Sequence, residues 1–96
     1  MLTAQSPEIR ELLTAWHEAG RAAFERSYTS LQYDTYEPKT VKERRKYLAL
    51  DRGTSGYFLV DRATGEVFSI KGYGVPNRRV GTVEELTAQY RNGGRR

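Results

Sequence analysis

The sequence predicts an α+β domain in which an N-terminal amphipathic helix packs on a three- or four-stranded antiparallel meander, followed by a short C-terminal helix. Between Tyr47 and Gly74, short apolar segments alternate with glycine-containing turns, which is typical of consecutive hairpins. On either side, apolar residues recur every three or four positions, which is typical of helices with one buried face. A chain of 96 residues is long enough for a single domain, residues 1–96, with one modest core.

The turns of the meander predict which residues share a face. Ala63-Thr64-Gly65 suits a three-residue loop that ends with Gly65 at positive φ, and Gly53-Thr54-Ser55 suits a second loop of this length. Counting outward from both loops places six large apolar residues on one face: Leu48, Leu50, Phe58, Val60, Phe68 and Ile70. We expect this face to be the core, and the Phe68→Ala substitution to cost ~3–5 kcal/mol of unfolding free energy.

The first helix is predicted to begin after Ser6, which fits an N-cap, with Pro7 at the first helical position. Its apolar spacing continues to about Tyr28. Trp16 and Phe24 are expected to contact the apolar face of the sheet. The tyrosines of the aperiodic segment that follows are either an aromatic binding surface or a cover for the edge of the core: Tyr28, Tyr33 and Tyr36.

The chain contains two matches to a capping box, in which a threonine is followed three residues later by a glutamate. Thr40–Glu43 is predicted to begin one or two helical turns, and Thr82–Glu85 to begin the C-terminal helix. Between the meander and that helix, Pro76 argues against a central strand, and Arg78–Val80 is the candidate for a fourth, edge strand. A disordered basic tail is expected from about residue 93.

Composition excludes several classes of function. Without cysteine, the chain has no disulfide, thiolate metal site or cysteine nucleophile. Neither a cofactor motif nor a metal-binding motif is found, and His17 is expected to be a helix-edge residue and not a general base. Because no apolar run is long enough for a bilayer and the N-terminus lacks the order of a signal peptide, a cytoplasmic protein without membrane contact is expected.

The net charge of +4 is unevenly distributed, because residues 1–38 carry a balance of −3 and residues 39–96 a balance of +7. This asymmetry permits an anionic partner. Two basic segments are candidates for contact with phosphates: the run that contains Arg44, Arg45 and Lys46, and the glycine-rich turn around Lys71, Tyr73, Arg78 and Arg79. At the turn, glycines on both sides leave the ring of Tyr73 free to stack on a base, and Tyr57 adds a ring on the outer face of the sheet.

Each candidate segment also has a structural interpretation. The charged run is equally consistent with a solvated turn that protects an edge strand from pairing. The glycine-rich turn is somewhat better explained as a tight connection in which Tyr73 closes the edge of the core.

The segment from Ser55 to Pro76, with its Asp-x-x-Thr-Gly-Glu hairpin, resembles small uncharacterised proteins of phages and mobile elements. The resemblance covers about a quarter of the chain. It implies an accessory protein that acts in the host cytoplasm, on nucleic acid or on a host protein, and it implies no active site.

These observations predict a non-enzymatic protein that binds nucleic acid, without a cofactor or metal, through Arg44, Arg45, Lys46, Tyr57, Lys71, Tyr73, Arg78 and Arg79. The alternative is an adaptor or inhibitor that binds a host protein complex through the same residues, since tyrosine and arginine also anchor protein interfaces. A third interpretation is a small basic ribonuclease in which lysine, arginine and tyrosine side chains carry the chemistry.

Overall fold

A computed structural model describes residues 1–24, 38–53, 55–72 and 74–92, with the side chains of residues 22–24 left out. Its elements are helix α1 (Pro7–Phe24), strands β1 (Lys39–Glu43), β2 (Tyr47–Arg52), β3 (Ser55–Asp61), β4 (Glu66–Gly72) and β5 (Val75–Thr82), and helix α2 (Val83–Arg91). The strands form one antiparallel sheet in the order β1-β2-β3-β4-β5. The α+β class and both predicted helices are confirmed, but the meander has five strands and not three or four.

Several predictions from the sequence fall outside the described residues. These are the last turn of the first helix, the tyrosines at positions 28, 33 and 36, Tyr73, and the tail from residue 93. In the part of the chain that is described, neither helix combines the length and the apolar character that crossing a bilayer requires.

The predicted helical turn at Thr40–Glu43 is wrong, because these residues belong to β1. Val41 pairs with Leu50 of β2 and packs against the edge of the core. A run of ladder hydrogen bonds and a buried apolar contact outweigh one local cap, since helix capping is worth only about 1 kcal/mol. The second capping box is confirmed: Glu85 N donates to Thr82 Oγ1 at 3.2 Å, and Thr82 N donates to Glu85 Oε1 at 2.9 Å.

The edge strand that was predicted at Arg78–Val80 is present as β5, and it is longer than predicted. β5 runs from Val75 to Thr82 at the edge of the sheet, and it contains Pro76. Proline is tolerated there because an edge strand leaves half of its N–H groups without a ladder partner. The pairing of β5 with β4 is irregular at three places, one of which involves Pro76 opposite Ile70.

The register between β2 and β3 agrees with the prediction in the core and departs from it at the turn. Leu48 lies opposite Val60 and Leu50 opposite Phe58, as expected. Arg52, however, pairs with Ser55, so the loop is one residue shorter than predicted and a bulge absorbs the difference. The extra residue of the bulge is Tyr57, which lies between the paired positions of β3.

The predicted register between β3 and β4 is wrong by one residue. Val60 lies opposite Val67, and Leu59 opposite Phe68. The connecting loop contains four residues because Asp61 organises it: its Oδ1 accepts hydrogen bonds from Ala63 N at 2.9 Å and Thr64 N at 3.2 Å. Gly65 closes the loop with a φ of 77°, which confirms the predicted positive φ. Its N–H donates to the Asp61 carbonyl at 2.8 Å.

A shift of one residue exchanges the two faces of β4. Val67 enters the core with 0% exposure, whereas Phe68 lies on the other face, where its ring meets Tyr47 at a centroid distance of 6.3 Å. The predicted core residues Phe68 and Ile70 are only half-buried. The large loss of unfolding free energy that was predicted for Phe68→Ala is therefore expected instead for truncation of side chains on the helix-facing side of the sheet.

Both helices cover the same face of the sheet. Trp16 of α1 is buried against Phe58 at a centroid distance of 5.4 Å, which confirms this predicted contact. The core comprises Ile9, Leu12, Leu13, Ala15 and Trp16 from α1, Leu48, Leu50, Phe58, Val60 and Val67 from the sheet, and Val83, Leu86 and Tyr90 from α2. The opposite face also buries apolar side chains, since Ala49 and Leu59 are 3% and 1% exposed.

The register between β3 and β4 can be tested by the same substitution, valine to threonine, at a buried and at an exposed position. We expect Val67→Thr to lower the free energy of unfolding by about 1–3 kcal/mol, because it places a hydroxyl in the core. Val75→Thr, at an edge-strand residue that is 49% exposed, is expected to change it by less than about 0.5 kcal/mol. Urea unfolding monitored by circular dichroism measures both. Equal stabilities would restore the predicted register, in which Val67 faces outward.

Candidate nucleic-acid interface

The two layers of the fold carry opposite charge. Residues 39–82, which form the sheet and its loops, contain ten lysines and arginines and four acidic residues. The helices α1 and α2 together contain three arginines and five glutamates. The positive charge that the sequence assigns to residues 39–96 is therefore a property of the sheet layer.

Each of the four carboxylates in the sheet layer is already engaged. Three lie near cations of the same layer, in the pairs Glu66–Arg79 at 2.7 Å, Glu43–Arg62 at 3.3 Å and Asp51–Lys42 at 3.9 Å. The fourth, Asp61, accepts the loop hydrogen bonds described above. The carboxylates of the layer therefore compensate only part of its positive charge.

Arg79, a predicted binding residue, forms ion pairs within the protein. Its Nε lies 2.7 Å from Glu66 Oε2, and its Nη2 lies 3.9 Å from Glu85 Oε1 at the start of α2. The side chain thus links β5 to β4 and to α2. A contact with an external phosphate would compete with both glutamates.

The basic run of Arg44, Arg45 and Lys46 forms the exposed loop between β1 and β2. Arg62 supports this loop from the neighbouring β3–β4 connection, because its Nη1 donates to the Arg44 carbonyl at 2.7 Å. The same guanidinium donates from Nε to the Leu2 carbonyl at 2.8 Å, which ties the N-terminal segment to the sheet. Sequence analysis did not identify this structural role of Arg62.

The other predicted basic segment lies at the opposite end of the sheet. In an antiparallel meander, the β1–β2 and β3–β4 connections share one end, and the β2–β3 and β4–β5 connections share the other. We call the described residues from Lys71 to Arg79 the basic ribbon, and all of them are exposed. The structure therefore divides the predicted surface into a loop at one end and a two-stranded ribbon at the other.

Tyr57 was predicted on the outer face of the sheet, and this prediction is wrong. The bulge turns it toward the helices, and its ring centroid lies 5.2 Å from that of Trp16 and 4.8 Å from that of Phe58. On its other side, Arg52 Cζ lies 5.3 Å from the ring centroid. Tyr57 is therefore half-buried between the core and Arg52, and it is not an open platform for a base.

Two cations absent from the predicted site lie at the same end of the sheet as the basic ribbon. Lys39, at the start of β1, is directly opposite Arg52, at the end of β2. Lys39 Nζ lies 5.2 Å from the ring centroid of Trp16. The sequence gives no signal for this pair, because the apparent capping box conceals the strand that brings the two residues together.

A groove of about 330 Å³ adjoins Lys39 along α1. It is lined by Arg10, Leu13, Thr14, His17, Glu18, Pro38 and Lys39. His17 is the only histidine of the chain, and the described residues contain no group of three histidine, aspartate or glutamate side chains arranged to hold a metal ion.

Neither a protein-family model, nor a curated protein, nor a solved structure matches this chain significantly. A functional conclusion therefore depends on the charges and contacts of the described residues.

The role of Arg62 gives a testable prediction. We expect Arg62→Lys to lower the free energy of unfolding by about 1–3 kcal/mol, because a lysine cannot reproduce the directed contacts of the guanidinium and leaves carbonyl groups short of a donor. Arg45→Lys, at an exposed loop position, is the matched control and is expected to have no measurable effect. Urea unfolding of both variants measures the difference, and a stable Arg62→Lys protein would contradict the assigned role.

Proposed function

We propose that this protein is a small, non-enzymatic nucleic-acid-binding protein and that the basic ribbon is its principal contact surface. The observation that carries the proposal is the exposure of every described residue from Lys71 to Arg79. A segment with no buried side chain contributes little to the stability of the core. We therefore interpret this exposed two-stranded segment as a surface that binds a partner molecule.

The shape and charge of the ribbon suit a nucleic-acid duplex. The major groove of B-form DNA admits a two-stranded β-ribbon, whereas the major groove of A-form RNA is too narrow and deep for side chains to read. Lys71 and Arg78 supply positive charge on the two strands of the ribbon. The backbone of Arg78 is fixed at its N–H, which donates to Ser69 Oγ at 3.3 Å. Double-stranded DNA is therefore the expected partner.

The resemblance of residues 55–76 to accessory proteins of phages and mobile elements supports a setting for this activity. A protein of such an element that acts in the host cytoplasm would encounter the DNA of the element and the DNA of the host. The alternative is a protein partner that adds a strand to the open edge of β5, where Val75 is 49% exposed. Pro76 and the adjacent arginines weaken this alternative, because proline and positive charge are the features that protect edge strands from pairing.

Salt dependence tests the proposal. We expect a short labelled DNA duplex to bind at low salt, with a logarithmic affinity that falls linearly with the logarithm of salt concentration. Lys71→Gln and Arg78→Gln are each expected to reduce this slope by about 0.9, because each removes one phosphate contact. Fluorescence anisotropy at several salt concentrations measures the slope.

The matched control is Arg91→Gln, which removes the same charge from α2, where Arg91 Nε lies 3.3 Å from Glu11 Oε1. Its slope is expected to equal that of the wild-type protein. Absence of binding by the wild-type protein at low salt would refute the proposal and direct attention to a protein partner at β5. Slopes that fall equally in all three variants would show attraction to the net charge and no defined interface.

A further inference from the structure

The outer edge of β1 lies beside no other strand in the part of the chain that the structure describes, because β1 begins the strand order and only β2 pairs with it. Hydrogen bonds just beyond both ends of β1 fix the ladder between these two strands. Arg44 N donates to the Tyr47 carbonyl at 2.9 Å, and at the other end Gly53 N donates to the Pro38 carbonyl at 2.8 Å. The register between these two points is unbroken.

This ladder determines which backbone groups of β1 point toward β2. Hydrogen-bonded and non-hydrogen-bonded positions alternate along an antiparallel pair. Positions 38 and 44 are hydrogen-bonded, so the backbone groups of Thr40 and Lys42 are directed at β2 as well. The N–H and C=O groups of Val41 and Glu43, at the positions between, are therefore directed at the outer edge. An edge of this kind is a template for another strand.

The sequence of β1, Lys-Thr-Val-Lys-Glu, is self-complementary about Val41. When two copies pair in antiparallel orientation with Val41 opposite Val41, Lys39 lies opposite Glu43. Thr40 then lies opposite Lys42, so no two like charges are directly opposed, which would destabilise the pair. A two-fold axis at Lys39, Lys42 or Glu43 would oppose that charge to its own copy. Only the register centred on Val41 pairs all five residues of the strand.

The features that protect this edge from other strands do not protect it from a second copy. A short edge strand with lysines pairs poorly with an arbitrary partner. In the register centred on Val41, the lysine at position 39 meets a glutamate. Glu43 also contacts Arg62 at 3.3 Å, and Lys39 contacts the ring of Trp16. The backbone therefore supplies the attraction, and the side-chain charges select the register.

The helix-facing side of the same edge is compatible with a second copy. Val41 is half-buried against the core, and pairing with its own copy covers more of this apolar side chain. The groove between α1 and the start of β1 is lined by both signs of charge, since it includes Arg10 and Glu18. The approach of this face to its own copy therefore does not oppose a surface of one sign to itself.

We propose that β1 pairs edge to edge with β1 of a second copy, in antiparallel orientation about Val41, and that the five strands of each copy form one continuous sheet. Such a two-fold contact is closed, so assembly ends at the dimer. The contact is small, and we expect the dimer to be weak. The inference does not depend on DNA binding, because the basic ribbon includes β5 at the opposite edge of the sheet.

The mass in solution tests the dimer. Sedimentation velocity between about 10 µM and about 1 mM is expected to show a rise from the mass of the 11.0 kDa chain to twice that mass. Val41→Pro is expected to abolish the rise, because it removes the outward N–H but no hydrogen bond to β2. The matched control is Val41→Ala, which also shortens the side chain but keeps the N–H, and it is expected to dimerise.

Amide hydrogen exchange locates the interface. At low concentration, the amides of Thr40 and Lys42 are expected to exchange slowly, since they donate to β2, and those of Val41 and Glu43 to exchange rapidly. At high concentration, the amides of Val41 and Glu43 are expected to become slow too. A dimer in which these two amides stay rapid would contradict the β1 interface.

Reversal of charge tests the register. Glu43→Lys and Lys39→Glu each oppose like charges across the interface and are expected to weaken the dimer several-fold. The double variant restores opposite charges and is expected to recover the dimer, which a structural effect of either substitution would not do. This comparison also decides the matter if circular dichroism shows that Val41→Pro is unfolded.

Several outcomes would overturn the inference. These are a wild-type protein that stays monomeric over the whole concentration range, a folded Val41→Pro that dimerises like the wild type, and a double charge variant that does not recover the dimer. Growth beyond the dimer would contradict a closed two-fold contact. Failure to bind DNA would refute the proposed function and leave this result unchanged.

Discussion

The pairing of Val60 with Val67 across β3 and β4 decides which side chains fill the core. It depends on Asp61, whose carboxylate and carbonyl accept three hydrogen bonds from the loop and make that loop four residues long. A loop of three residues would place Phe68 and Ile70 under the helices and expose Val67. Because side chains alternate along a strand, one loop residue determines the packing of the whole second half of the sheet.

The helices gain their positions from the core that this register creates. Trp16 contacts Phe58 and, because of the bulge, also Tyr57, so this part of α1 packs on β3. At the other end, Leu2 N donates to the Arg62 carbonyl at 2.9 Å, and Arg62 Nε returns a hydrogen bond to the Leu2 carbonyl at 2.8 Å. The N-terminal segment is thus fixed to the β3–β4 connection by polar contacts, and α1 to the sheet by apolar ones.

The same fold arranges the surface charge. Ion pairs occupy Lys42, Arg62 and Arg79, which removes them from the set of cations that a phosphate can approach without competition. The exposed ribbon with Lys71 and Arg78 lies at one end of the sheet. The exposed positive charge of the described ribbon is therefore concentrated at this end of the sheet.

The amino-acid sequence by itself determined the local structure. Ser6, Pro7 and the apolar spacing after them indicated α1, the capping box at Thr82 indicated α2, and Gly65 required a positive φ. Each of these features depends on residues within a few positions of one another, so the sequence carries the whole signal.

Only the tertiary structure decided the remaining strand pairings, beyond those of Leu48 with Val60 and Leu50 with Phe58. Thr40–Glu43 has the local pattern of a helix start, yet β2 recruits it as a strand, and the bulge at Tyr57 turns a ring that alternation would place outside. Lys39 and Arg52 become neighbours only because β1 exists. These outcomes depend on contacts between residues distant along the chain, where burial and ladder hydrogen bonds outweigh local propensity, and a single sequence does not record which distant partner prevails.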